Sequence, residues 1–195
     1  MDQFPTYLFI GKDHILDKNG YDHILFVVAL CAIYSVRDWK KVLILVTAFT
    51  VGHSITLALA TYRIVNFNST VIEFLIPVTI FVTAVSNLFR GEESVSRGSI
   101  HINYLFAAGF GLIHGLGFST LLRELLGKNQ NIVTQLLAFN VGLEIGQIII
   151  VAIFMALTFI IVDFMGVSRR DWKMVISSAI AGIALILIKN SEFLN

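Results

Sequence analysis

Residues 132–164 read IVTQLLAFNVGLEIGQIIIVAIFMALTFIIVDF, and only two of their side chains, Glu144 and Asp163, are ionisable. A helix rises about 1.5 Å per residue, so about 20 apolar residues cross a hydrocarbon layer of about 30 Å. This stretch therefore reads as a transmembrane helix. Outward from it lie five more apolar stretches, at 21–37, 42–62, 71–89, 101–122 and 172–189. Short polar links such as Arg37-Asp38-Trp39-Lys40-Lys41 and Ser168-Arg169-Arg170-Asp171 separate them. Lipid offers backbone N–H and C=O groups no partner, so each stretch is predicted to be helical. The expected fold is an all-α, polytopic transmembrane bundle of about six spans, forming one integral membrane domain over residues 1–195. Residues 1–20 differ, because Phe4, Tyr7, Phe9 and Ile10 mix with Lys12, Asp13, Asp17 and Lys18. That mixture predicts a short interfacial segment lying along the membrane surface.

Composition agrees: of 195 residues 56% are hydrophobic and 14% charged, and the mean hydropathy is +0.82. Such a chain contacts membrane lipids and has no length to spare for a soluble domain. A net charge of +1 without a long basic run argues against nucleic acid as a partner. Cys31 stands alone and can build neither an intramolecular disulfide nor a thiolate metal cage. The Met-Asp-Gln-Phe-Pro start shows no basic region or small-residue cleavage site of a removable signal peptide. In a six-span arrangement, eight Lys and Arg (Arg37, Lys40, Lys41, Arg90, Arg97, Arg169, Arg170, Lys173) fall on one side. Six (Lys12, Lys18, Arg63, Arg123, Lys128, Lys189) fall on the other. The tighter clusters mark the cytoplasmic side, which predicts periplasmic termini in a bacterial inner (cytoplasmic) membrane.

Ionisable side chains within membrane helices are costly and mark functional sites by default. Here they are Asp22 and His23 at the head of the first stretch, His53 in the second, Glu73 in the third, His114 in the fourth and Glu144 in the fifth. Alternating helix directions bring all six to one half of the bilayer, and turning the protein over moves the layer without dispersing it. Helical phase sharpens the picture. Thr47, Thr50, His53 and Ser54 share one face of their helix, and Asn140, Glu144 and Gln147 form a polar stripe on theirs. Imidazoles and carboxylates without thiols suit a borderline divalent ion such as Ni, Co, Zn or Fe. The expected metal residues are His23, His53, His114, Asp22 and Glu144, with His14 of the N-terminal segment in addition. His101 belongs to the opposite membrane edge and is left out. The plainer alternative is a buried polar network in which Glu144, Asn140 and Gln147 hold helices together.

Several of these residues lie in motifs: His14-Ile-Leu, Gly20-Tyr-Asp-His23-Ile-Leu-Phe, Thr47-Ala-Phe-Thr-Val-Gly-His53-Ser-Ile-Thr-Leu, Gly111-Leu-Ile-His114-Gly-Leu-Gly117-Phe and Phe139-Asn-Val-Gly-Leu-Glu144-Ile-Gly-Gln147. Together with Glu73 they resemble, in order and over the first five stretches, the HupE/UreJ family of bacterial membrane proteins. The resemblance implies a nickel or cobalt permease. The family's first motif sets Asp-His five residues after a His, whereas seven residues separate His14 from Asp22 here.

Two functions of different class follow. The first is a secondary permease for a divalent transition metal, Ni or Co with Fe or Zn as alternatives, in which Asp22, His23 and His14 capture the ion, His53, His114 and Glu144 hold it deeper, and Glu73 gates. No GxxxxGK[ST] motif is present, so the energy source is an ion gradient or a partner. The second is an intramembrane zinc-dependent hydrolase acting on a lipid or membrane-embedded substrate, with the His residues as ligands and Asp22, Glu73 or Glu144 as catalytic base. The sequence leaves homo-oligomerisation open.

Overall fold

The computed structural model describes residues 3–17, 20–90, 97–126 and 132–194, and among them it is all-helical. In chain order the helices are α1 (Phe4–Ile15), α2 (Asp22–Cys31), α3 (Trp39–Thr61), α4 (Ser69–Phe89), α5 (Arg97–Leu126), α6 (Ile132–Thr158) and α7 (Arg169–Lys189). Five segments are long and apolar enough to cross a membrane: Val36–Thr61, Ser69–Phe89, His101–Leu122, Ile132–Phe164 and Arg169–Lys189. The protein is thus a polytopic membrane protein. Local chemistry fixes several helix ends. The Asn68 side chain accepts from Thr70 N–H at 3.0 Å, and the Ser168 hydroxyl accepts from Asp171 N–H at 3.1 Å. The Asp38 carboxylate accepts from both the N–H and the hydroxyl of Ser35, tightening the 3₁₀ turn Val36–Asp38 that leads into α3. The last turns of α6 widen into a π-helix, Phe159–Phe164, and Gly166 at φ 77° turns the chain toward α7.

The helix boundaries and packing add two points to the sequence expectations. The stretch at 21–37 is not one continuous helix, because α2 stops at Cys31 after ten residues and the chain turns before α3. The N-terminal segment forms α1, which runs parallel to α6 in close contact with it. Gln135 donates to the Gln3 side chain at 2.6 Å. Further along, Gly11 abuts the Phe139 carbonyl, Gly142 the Leu8 carbonyl and Gly146 the Ile15 side chain. A methyl group at Gly11 or Gly142 would overlap the opposing backbone, so only glycine permits this approach. The physical reason for the docking is this fit: α6 offers α1 a groove of small residues that solvent and headgroups cannot match. α1 covers α6 as far as Gly146, and α2 continues beyond it, with Ala32 reaching the cavity lined by Thr158. The two short helices therefore follow one another along α6, with the break between them near the middle of the bundle.

A second interlocked pair sets the opposite wall. α3 and α5 run parallel, with Gly52 against the Ala108 carbonyl, Gly111 against Phe49 and Gly115 against His53. We call the side holding the start of α1 and α4 proximal and the other side distal.

Candidate metal centre

The break between α1 and α2 is where the histidines meet. His14 is the penultimate residue of α1, and Asp22 and His23 begin α2. α3 brings His53 to the same point. One ring nitrogen each from His14, His23 and His53 falls within 4.8 Å of the other two. Ligand nitrogens bound tetrahedrally at about 2.0–2.1 Å stand roughly 3.4 Å apart, so small side-chain rotations close this trio on one ion. His114 of α5 stands beside the trio, its ring centre 5.2 Å from that of His23. Both His53 and His114 are completely buried, and His23 is 5% exposed.

Hydrogen bonds settle which nitrogens remain available. His23 Nδ1 lies 3.2 Å from the Asp22 carboxylate, which also accepts from the His23 backbone N–H at 3.0 Å. A carboxylate accepts, so Nδ1 carries the proton and Nε2 keeps a lone pair. His114 Nε2 lies 3.1 Å from the Thr79 hydroxyl. That hydroxyl has one proton and gives it to the Ile76 carbonyl at 2.7 Å, so His114 Nε2 donates and Nδ1 is left bare. The nitrogens left over, His14 Nε2, His23 Nε2, both of His53 and His114 Nδ1, are buried and have no hydrogen-bond partner. The Asn140 amide stands beside His53. Each buried polar group left unpaired costs about 1–3 kcal/mol, so a cation bound by several of them at once removes a substantial penalty. Phe26, Phe49, Phe118 and Phe139 wall the cluster, with Phe118 3.9 Å from His14 between ring centres. Where these rings pack against the imidazoles they lower the local dielectric and strengthen charge–ligand attraction.

The acids occupy different places. Asp22 is held by His23 and acts behind it. Glu73 is exposed and lines a proximal cavity of about 280 Å³ together with His14, Asp22, His23 and His114. That cavity adjoins, past Gly20 and Ile76, a wider one of about 570 Å³ that also reaches Glu192 after α7. An acidic vestibule thus leads from the proximal side to the imidazoles. Glu144 lies further along α6: its carboxylate accepts from the Thr47 hydroxyl at 2.5 Å across the α3–α6 seam. Beside it Thr50 donates to Gln147 at 2.7 Å. The two polar stripes read from helical phase therefore face each other.

Thr79 is a residue that sequence reading missed. Its place three positions from the Ile76 carbonyl gave it the look of a hydroxyl serving its own helix, which is only half of what it does.

A family model described as HupE / UreJ protein matches residues 1–191. No curated protein and no solved structure matches the chain.

Proposed function

On the premise that the chain belongs to the HupE/UreJ family, which is associated with nickel and cobalt transport, we propose that it is a secondary permease for a divalent transition metal, Ni²⁺ or Co²⁺ ahead of Fe²⁺ or Zn²⁺. The observation that carries this reading is the convergence of His14, His23 and His53, their free nitrogens buried, at the break between α1 and α2. Broken helices at mid-membrane are where transporters hold their ions, because a chain end there supplies ligands that a continuous helix keeps to itself. The acidic vestibule draws a cation in, and Glu73 meets it first. The ion sheds water and passes to the imidazoles, with His114 Nδ1 as the next donor beside His23. Asp22 orients His23 and stabilises it while the positive ion is bound. With Arg37, Lys40 and Lys41 before or within α3, and Arg169, Arg170 and Lys173 at the head of α7, the distal side carries the tight basic clusters. That bias supports a cytoplasmic distal side and entry from the periplasm of the bacterial inner membrane. The hydrolase alternative gains no support from the family match.

Reconstituted vesicles loaded with a metal-sensitive dye test the proposal. Saturable influx of Co²⁺ or Ni²⁺, lost in His23→Ala and His53→Ala protein that inserts normally, is expected. Zinc held through dialysis without any flux would mean that the metal is a resident cofactor and that the permease reading is wrong.

A further inference from the structure

The imidazole cluster uses one nitrogen of His53, and the ring has two. Both are buried without a hydrogen-bond partner, and because they diverge from the ring, a single ion can take only one. Next to the ring lies Asn140, whose amide N–H donates to the Leu136 carbonyl at 2.8 Å while its Oδ1 is buried without a partner. Glu144 follows four residues later on the same face of α6, about 6 Å further toward the distal side at helical rise. Its Oε1 is held by Thr47, and its Oε2 is buried without a partner. Among the described residues no basic side chain forms an ion pair with it. A carboxylate at this depth with no counter-charge is expensive, and a cation is what would relieve it.

We propose a second divalent-cation station on the α3–α6 seam, formed by the second nitrogen of His53, Asn140 Oδ1 and Glu144 Oε2. This rests on the transport reading above and extends it, with His53 shared between the two stations and the ion handed from one face of its ring to the other. The inner station has one imidazole and two oxygen donors, so it binds a borderline metal more weakly than three imidazoles do. A descending series of affinities is what lets an ion leave. The station ends at Glu144, because the oxygen of Gln147, next on the stripe, is already taken by Thr50. The other polar track leading distally, through Thr79, Thr83 and Asn87, ends at a cavity lined by Arg90. The Arg90 carbonyl there accepts from the Lys173 ammonium. The positive charge of Arg90 at that mouth opposes a cation, which favours the seam.

Co²⁺ titration of the full chain in nanodiscs of zwitterionic lipid, followed by calorimetry and the visible absorption of the metal, decides the matter. The wild type is expected to take two ions of unequal affinity. Glu144→Gln should lose the weaker one and keep the tighter one with its spectrum unchanged, His23→Ala should do the converse, and Asn140→Asp should tighten the weaker ion several-fold. Two ions persisting in Glu144→Gln, loss of the tight ion in that variant, or an unaltered weaker affinity in Asn140→Asp would overturn the second station. A single ion in the wild type, removed by His23→Ala, sinks the station and leaves the transport reading standing, whereas no saturable binding at all sinks both.

Discussion

Asp22 and His23 are adjacent in sequence yet do different jobs, one holding a proton donor and the other presenting a lone pair. Removing the acceptor while keeping the shape isolates the first job. Asp22→Asn is expected to weaken metal binding about 10- to 100-fold without abolishing it, as loss of an outer partner of a ligating histidine does, when measured by competition with a chelating dye. His114 gives a parallel case: Thr79→Val removes the acceptor that keeps its proton on Nε2, and Thr79→Ser restores it. Nitrogen NMR of the His114 ring is expected to report a mixed tautomer in the first variant and the native one in the second. Protons compete with metal for every imidazole of the cluster, so binding weakens as pH falls and strengthens as it rises. A binding isotherm insensitive to pH between about 5 and 8 would be incompatible with histidine ligation. The presence of these side chains at one depth was legible from counting along helices. Their facing was not: sequence reasoning centred the metal on His23, His53 and His114, whereas the converging nitrogens belong to His14, His23 and His53 with His114 alongside. The position of His14 depends on where α1 docks, a contact between residues more than a hundred positions apart.

That docking belongs to the scale of elements. Long apolar runs identified the five full-length helices because hydropathy is a local property. The succession of α1 and α2 along α6 escaped because neither helix is long enough to stand out alone and because Lys12 and Asp13 gave α1 the composition of a surface helix. Its signal is present but distributed: Gly11 on one side, and Gly142 and Gly146, spaced one turn apart, on the other. A cysteine pair placed at Gln3 and Gln135, whose side chains touch, is expected to form a disulfide on mild oxidation. Adding Gly142→Leu should prevent that crosslink and lower metal affinity to the level of His14→Ala. The milder Gly142→Ala should cost about 1–3 kcal/mol through overpacking, read from the chemical denaturation midpoint. If the crosslink forms equally well in Gly142→Leu, the groove is not what holds α1.

Over the whole molecule, the two interlocked pairs, α1 with α6 and α3 with α5, behave as units, because backbones in direct contact cannot slide without passing through one another. Relative motion is left to the surface between the pairs, which is where His53 meets His14 and where Glu144 meets Thr47. Orientation can be checked by impermeant thiol labelling, against which Cys31 is silent because it is buried. Ser69→Cys is expected to be labelled from outside intact cells and Ser168→Cys only after lysis; the reverse pattern would place the vestibule in the cytoplasm. The docking of α1 on α6 also bears on how the protein is made. At about 1.5 Å per residue, the twelve residues of α1 reach roughly 18 Å, too short to hold a place in a bilayer about 30 Å thick. The groove that retains α1 is synthesised more than a hundred residues later, with α6. α1 can therefore dock only once α6 has been made. A nascent chain stalled before Ile132 lacks that groove, so the contact that brings His14 to His23 and His53 becomes available only after α6 has joined the bundle.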